Sequence, residues 1–488
     1  MTPTLICLSI LLPLAGGFAI LALDVKDERR RNLLVEAVTC LTSVLVWMAI
    51  LSGGREPFKV YSFTRGFDIT FLPDGLAMVF AGLIALMWPV VDLYAFEYME
   101  HADRKSGFFG FFTMTYGITL GVAFSGNLVT LYVFFEMLTL VTVPLVSHYQ
   151  DHEGLYAGRQ YALYTMGGAG LAFLAVVMAT LNGQAGDFLY GGSLSPDVSR
   201  QLMLAVYLFG FFGFGIKAAI FPFHEWLPLA GVAPTPVTAL LHAVAVVNSG
   251  VFAVTRLTWY VYGPDFLLGT WAQNVCLGFA AFTIVFAAVQ ALRQRHFKRR
   301  LAFSTVSNLS YMLFGVLLLT PSGLQAGLAH MVFHGVIKIT LFMCAGSFMH
   351  VTGNKYIFEL NGVGRKMPWT FGMYTIGAFS LSGIPLFAGF ISKYRLIWSG
   401  IEAGHPAAYV GTVALIVGAF FCAMYTLTVS ARAFFPIRGT ERYEKESGGD
   451  AGWRILVSIG IFTVADILLG LMPGPIMDLL GRIAQGLM

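Results

Sequence analysis

The chain has 488 residues, of which 57% are apolar and only 11% charged, with 30 Lys and Arg against 26 Asp and Glu. A mean hydropathy of +0.74 excludes a water-soluble domain, whose surface needs roughly a quarter of its residues charged. The net charge of +4 comes without a long basic segment, which excludes a nucleic-acid binder and leaves an all-α polytopic membrane protein in contact with the lipid bilayer.

A bilayer core of about 30 Å asks for about 20 apolar residues per helix. Applied along the chain, that rule yields fourteen spans, each ended by a charged, Gly or Pro break: 4–23, 33–53, 75–96, 108–125, 128–148, 160–181, 203–222, 236–262, 271–292, 301–320, 325–350, 369–397, 407–431 and 455–478. The first has no basic flank before it and is long enough to cross, so it reads as a helix and not a cleaved signal. Cys7, Cys40, Cys276, Cys344 and Cys422 stand singly within apolar runs. That spacing suits no zinc, cluster or covalent haem, and no cofactor or metal is expected.

An even number of spans places both termini on one side. The loops after spans 1, 3, 5, 9, 11 and 13 hold 20 Lys and Arg, whereas the opposite loops and the termini hold 5. Because short cytoplasmic loops keep the cations, both termini are expected on the non-cytoplasmic side of the cell inner (plasma) membrane. The other five cations fall inside spans: Lys217, Arg256, Lys338, Lys393 and Arg395. An ionisable group at mid-bilayer costs about 2.5–3.5 kcal/mol on insertion scales, so it is retained where it faces a hydrated interior and does work there. Arg256 and Arg395 lie towards span ends, where a snorkelling or structural contact explains them. Lys217, Lys338 and Lys393 are deeper.

Two of the deep lysines adjoin helix breakers. The seventh span carries Gly210, Gly213 and Gly215 ahead of Lys217 and runs into Phe221-Pro222 and Pro228. The twelfth carries Gly383-Ile384-Pro385 and Gly389 ahead of Lys393. Gly/Pro-interrupted spans at corresponding positions point to inverted repeats and to a site near the membrane midplane. These two are five spans apart, an odd number that inverts the second copy. Other polar residues complete a row. Glu136 is the one acid of the fifth span and needs a cationic partner or a proton. Thr238, His242 and Ser249 share a face of the eighth span, with Asn248 about 120° from His242 on a continuous helix. In the eleventh, His330, His334 and Lys338 recur every four residues, a polar stripe of about 12 Å. Such a row can pass protons through intervening water.

The stretch Lys217-Ala-Ala-Ile-Phe-Pro-Phe-His-Glu-Trp-Leu-Pro228, followed by Ala233-Pro-Thr-Pro-Val237 and Leu241-His242, resembles the antiporter-like, proton-conducting subunits shared by complex I, membrane-bound hydrogenases and Mrp cation/proton antiporters. Tyr98-Met99, Phe134-Phe135-Glu136, the run from Lys298 to Thr305, His334-Gly-Val-Ile-Lys338, Ser382-Gly-Ile-Pro385 and Gly389-Phe-Ile-Ser-Lys393 extend the likeness over nearly the whole chain. The resemblance implies a fourteen-helix core with two inverted five-helix repeats, helices 4–8 and 9–13, whose helices 7 and 12 are broken. It divides the chain into N-terminal helices (1–106), a first repeat (107–262), a second (263–432) and a cytoplasmic loop with the last helix (433–488). It implies that Glu136 pairs with Lys217, that Lys338 and Lys393 form the centre and exit of a proton relay, and that His242, His330 and His334 connect them. One departure is Asn248, where many members carry a central lysine. An amide cannot be protonated at ordinary pH, and the path is then routed through His242.

The function implied is that of a proton-translocating, non-redox subunit in a respiratory NADH:quinone oxidoreductase-like or hydrogenase-like complex, with other membrane subunits as partners. The alternative is a subunit of an Mrp-type antiporter exchanging Na+ or another cation for protons. A silent structural subunit is a third reading, supported by Asn248 alone. Lysine-rich relays suit protons better than Na+, which wants oxygen ligands.

Overall fold

Short polar side chains set many of the helix starts, because the first turn of a helix leaves backbone N–H groups without partners. Asp27, Asp74, Asn127, Asp151, Thr270 and Thr320 each accept from the turn that follows. The computed structural model describes residues 2–64, 67–183, 187–195, 197–436 and 449–488, with the side chain of His242 also outside the described set. Arg65 and the cation-rich stretch with Arg438, Arg442 and Lys445, which entered the charge reading above, lie outside the described residues.

Among the described residues, seventeen α-helices of nine or more residues carry the fold. They are α1 (Thr2–Leu23), α2 (Glu28–Leu51), α3 (Gly75–Tyr98), α4 (Lys105–Ala123), α5 (Leu128–Val146), α6 (His152–Leu181), α7 (Arg200–Gly215), α8 (Thr235–Ala243), α9 (Ala245–Thr255), α10 (Trp271–Arg293), α11 (Phe297–Leu317), α12 (Pro321–Thr352), α13 (Pro368–Ser382), α14 (Ala388–Glu402), α15 (Pro406–Phe434), α16 (Trp453–Leu471) and α17 (Gly474–Ala484). Among the described residues, eleven helical stretches are long and apolar enough to cross a membrane, with α8 and α9 counted as one. The remaining three predicted spans are helical too. They are the short α7, the more polar α11, and the pair α13–α14. The chain is a polytopic helical membrane protein.

The break expected in the twelfth span is present: Gly383, at φ +86°, ends α13, and α14 starts only at Ala388; the left-handed backbone there suits a residue without a Cβ. The differences from the sequence expectation have local causes. The eighth span is not one helix. Val244 leaves helical geometry (φ −139°, ψ −59°) between α8 and α9, and a π-turn over Arg256–Tyr262 closes the span, so a single helical wheel over 236–262 does not hold. The last span stops at Leu471, before Pro473, and α17 follows as a separate helix. The all-α reading also missed a hairpin, Phe58–Thr64 (β1) paired antiparallel with Phe67–Phe71 (β2), with Phe58 opposite Phe71.

The core centres on α12. Every residue from 326 to 348 is buried, as expected for a helix enclosed on all sides by other helices. α8, α11, α13, α14 and α16 pack against it. The polar stripe read from the sequence therefore runs through the interior of the molecule.

Candidate functional site

Lys217 sits just past the end of α7, in a non-helical turn that carries Ala219 at φ +52°. The turn fits because Gly250 of α9 comes so close that a Cβ there would lie 2.3 Å from Ala218 N and 2.7 Å from Lys217 C. Trp226 Nε1 donates to Ile216 O at 2.8 Å, tying the chain beyond the turn back to its start. The lysine is fully buried. Its ammonium donates to the Phe135 carbonyl oxygen and stands 3.7 Å from the centre of the Phe135 ring, a cation–π contact. Glu136 follows Phe135 in α5, is half-buried, and acts on Lys217 electrostatically. The two do not form an ion pair within 4 Å, and Glu136 Oε1 has no hydrogen-bond partner among the described residues. The expected pair is thus a neighbourhood and not a contact.

The second group is denser. Lys338 Nζ donates to Leu301 O at 2.8 Å and to Ser304 Oγ. Asn308 Nδ2 donates to Ser304 O at 2.7 Å, which turns its amide oxygen to His330 Nε2 at 3.1 Å. An amide oxygen only accepts, so Nε2 carries the hydrogen and Nδ1 accepts from Ser392 Oγ at 2.9 Å. Lys393, next in sequence, donates to Leu381 O at 2.5 Å and stands 5.5 Å from the Tyr311 ring. His334 lies between these groups, its ring 5.7 Å from that of His330. It is fully buried and neither nitrogen has a partner among the described residues. Buried imidazole nitrogens without partners are costly in a merely structural role.

Lys338, His334, His330 and Lys393 are therefore brought together, as are Glu136 and Lys217. The two groups meet through α8 and α9. Gly335, beside His334, places its Cβ direction 3.4 Å from Val244 Cγ2 at the α8–α9 break. Asn248 donates to Ala243 O at 3.0 Å, and its buried Oδ1 is unpartnered among the described residues. The side chain of His242, the connecting residue expected here, lies outside the described residues.

The sequence reading missed the hydrogen-bonding bridge of Ser304, Asn308 and Ser392. Ser304 and Asn308 lie four residues apart and Tyr311 three further on, one face of a polar-spotted span, which was the available signal. Arg256 is structural, as read. It makes a two-pronged pair with Asp74, at 2.5 Å and 2.7 Å, beneath the Tyr260 ring. Arg395 is exposed.

A family model described as NADH:quinone oxidoreductase/Mrp antiporter, TM, matches residues 125–421. The chain belongs to this family. A protein of Rhizobium meliloti (strain 1021) named as a probable K(+)/H(+) antiporter subunit is 31% identical over 88% of this chain and 43% of its own length. A Na(+)/H(+) antiporter subunit of Alkalihalophilus pseudofirmus is 32% identical over 76% of this chain and 48% of its own. The chain spans about half the length of these curated relatives. Among solved structures, the fold is similar to a chain of the membrane-bound sulfane sulfur reductase, an archaeal respiratory membrane complex, with TM-score 0.84, 22% identity and coverage of 99% and 97%. It is also similar to one in the Mrp complex from Dietzia sp. DQ12-45-1b, with TM-score 0.80, 23% identity and coverage of 98% and 52%. Both groups of candidate residues, from Glu136 to Lys393, fall inside the matched segment.

Proposed function

We propose that the chain is a proton-translocating, non-redox subunit of a multisubunit membrane complex. Protons pass along Glu136, Lys217, His242, His330, His334, Lys338 and Lys393, with Ser304, Asn308 and Ser392 holding the donors and acceptors in line. The observation that carries this reading is the buried chain of contacts from Lys338 through Ser304 and Asn308 to His330 and Ser392. Its two ends, Lys338 with the Ser304 hydroxyl and His330 with Asn308 and Ser392, hold exchangeable hydrogens in the middle of an apolar helix bundle, where isolated polar groups are unfavourable. A change of charge at one titratable group alters proton affinity at the next, so a partner subunit can couple to the row through the half-buried Glu136. In this reading the interrupted spans belong to two inverted repeats, 107–262 and 263–432, and both termini face away from the cytoplasm.

Two hosts fit. The near-complete coverage of the sulfane sulfur reductase chain supports a respiratory complex in which partner proteins transfer electrons. The identity to antiporter subunits named for K+ and Na+ exchange supports an Mrp-type antiporter. What co-purifies separates them. Iron–sulfur proteins belong with the first, whereas a set of small membrane subunits without redox proteins belongs with the second. The relay is tested with the intact complex in proteoliposomes. Lys217→Ala and Lys338→Ala are each expected to reduce proton transport at least about tenfold, the loss set by roughly 1.4 kcal/mol of barrier, with assembly unchanged. Parental transport in either variant removes that residue from the path.

A further inference from the structure

Outside both groups, two acids lie on the paired helices α2 and α3. Asp92 is fully buried and neither of its carboxylate oxygens has a hydrogen-bond partner among the described residues. The charged group acting on it is Glu36, which is half-buried. Glu36 Oε1 accepts from Cys40 Sγ at 3.4 Å, while its Oε2 is unpartnered among the described residues. Glu36 is eight residues into α2 and Asp92 six residues short of the end of α3. At 1.5 Å per residue the two sit about 12 Å and about 9 Å from the same end of an antiparallel pair, and so at similar depth.

Among the described residues no cation forms an ion pair with either carboxylate. From α2, the Thr39 hydroxyl acts on Asp92 as a weak donor while making its closer contacts to Val35 O and Glu36 O at 3.1 Å and 3.2 Å, and Cys40 is engaged with Glu36. From α4, the Tyr116 hydroxyl is held by Ser43 at 2.9 Å. From α16, Arg454 lies at the rim, where its backbone N–H donates to Glu97 Oε2 at 3.1 Å. A cleft of about 610 Å³ lined by Glu28, Arg29, Glu36, Glu100, Trp453 and Arg454 leads from the surface to Glu36.

Two like charges at close quarters in a low-dielectric setting do not both stay ionised, so the pair calls for one positive charge. A dehydrated metal cation asks for about six oxygen ligands, more than this pocket offers. A proton needs only two oxygens. We propose that Glu36 and Asp92 form a carboxyl pair that holds one proton, loaded from the cleft and separate from the lysine–histidine row. The same helix α3 continues about a turn and a half to Met87, whose Cε lies 3.4 Å from the Cβ position of Gly335, beside His334.

The test uses the intact complex in lipid and dicyclohexylcarbodiimide, which attacks protonated carboxyls in apolar surroundings, read by peptide mass mapping alongside infrared absorption of carboxylic-acid C=O groups. At neutral pH Asp92 is expected to be labelled. Asp92→Asn then removes that label and its share of the infrared band, and leaves labelling elsewhere at the parental level. Glu36→Gln, which removes the like charge and keeps the shape, cuts Asp92 labelling about tenfold, and added NaCl or KCl leaves the parental labelling unchanged. Three results overturn the proposal: an unlabelled Asp92 with an infrared band insensitive to Asp92→Asn, Asp92 labelling unmoved by Glu36→Gln, or loss of the label on adding sodium, which assigns the pair to an alkali cation. Each variant is compared at equal recovery of assembled complex.

Discussion

Lys217 and Lys393 both stand beside an interrupted helix, and their surroundings differ. The Lys217 ammonium rests on one carbonyl and one aromatic ring, and its acid, Glu136, is half-buried with a free oxygen among the described residues. Around Lys393 the polar groups are enclosed and chained, from Ser392 through His330 and Asn308 to Ser304 and Lys338. One device is therefore open on a flank and the other is wired internally. Under the proposed function the first would respond to a charge brought by a neighbouring subunit, since a half-buried acid is still reached by an outside field. The second, under the proposed function, would pass protons between the Lys338–Ser304 contact and the Asn308–His330–Ser392 contacts, with His334 unpartnered among the described residues beside them. Transport loss from Lys217→Ala and Lys338→Ala alike would fit a path in series, whereas loss from Lys338→Ala alone would confine conduction to the second region.

The largest stability effect is expected outside both regions, and it separates a structural ion pair from a functional lysine. Asp74 both caps α3, accepting from Ala77 N at 2.9 Å, and neutralises the fully buried Arg256. Asp74→Ala leaves that guanidinium without its counter-charge, and unfolding in mixed detergent should show a loss of about 3–5 kcal/mol. A double change to Asp74→Leu and Arg256→Met removes both charges and should recover most of it. Lys217→Ala has no such penalty, because it removes a buried charge that lacks a close carboxylate.

A smaller effect tests why the first region has its shape. Gly250→Ala places a methyl 2.3 Å from Ala218 N, which is backbone and cannot swing away. A cost of about 1–3 kcal/mol is expected from overpacking, together with displacement of Lys217 from Phe135 and reduced transport. Gly278, whose Cβ direction meets nothing within 4 Å, is the control, and Gly278→Ala should be neutral.

These contrasts also mark what the sequence could and could not tell. The fourteen spans and the break beside Lys217 were legible, because span length, Gly/Pro punctuation and buried charge are local properties. The row of His330, His334 and Lys338 followed from a spacing of four. The distance between Glu136 and Lys217 was not legible, since it depends on where a non-helical turn points an ammonium. The bend at Val244 was hidden too, as nothing in Ala243-Val244-Ala245 breaks a helix by composition, and tertiary packing decides it. The bridge through Ser304, Asn308 and Ser392 joins three different helices, a relation no periodicity within one helix contains.

Within the second region, His330 and His334 are expected to part ways. His330 makes two side-chain hydrogen bonds, and His330→Ala should cost about 1–3 kcal/mol, chiefly through Asn308 Oδ1, which it leaves unpaired, since Ser392 Oγ keeps its contact with Gly389 O at 3.3 Å. His334 makes none among the described residues, so His334→Gln should leave the melting temperature close to parental while lowering proton transport. If His334→Gln conducts normally, that ring is removed from the path and protons cross from Lys338 to His330 through water, since the Asn308 amide cannot take one up.

The smallest effect concerns the frame of the second region and its pH dependence. His296 precedes α11 and its Nδ1 accepts from Arg299 N at 3.4 Å, while Phe297 N and Ile357 N tie this end to the 355–357 segment. Burial, reinforced by the positive charges of Lys298, Arg299 and Lys355, pushes the His296 imidazole down to about 4 from the usual 6.5. The folded protein thus holds His296 neutral, the only form in which Nδ1 can cap. An unfolded chain takes up the proton near pH 6.5 and the folded one only near pH 4, so this contribution is complete above about pH 6.5 and is lost as pH falls towards 4. His296→Asn, which caps without titrating, should flatten the acid limb of a stability–pH profile by roughly 1 kcal/mol and leave stability near pH 8 within a few tenths. An unchanged acid limb would place the pH sensitivity elsewhere and leave α11, and the relay residues it carries, independent of this cap.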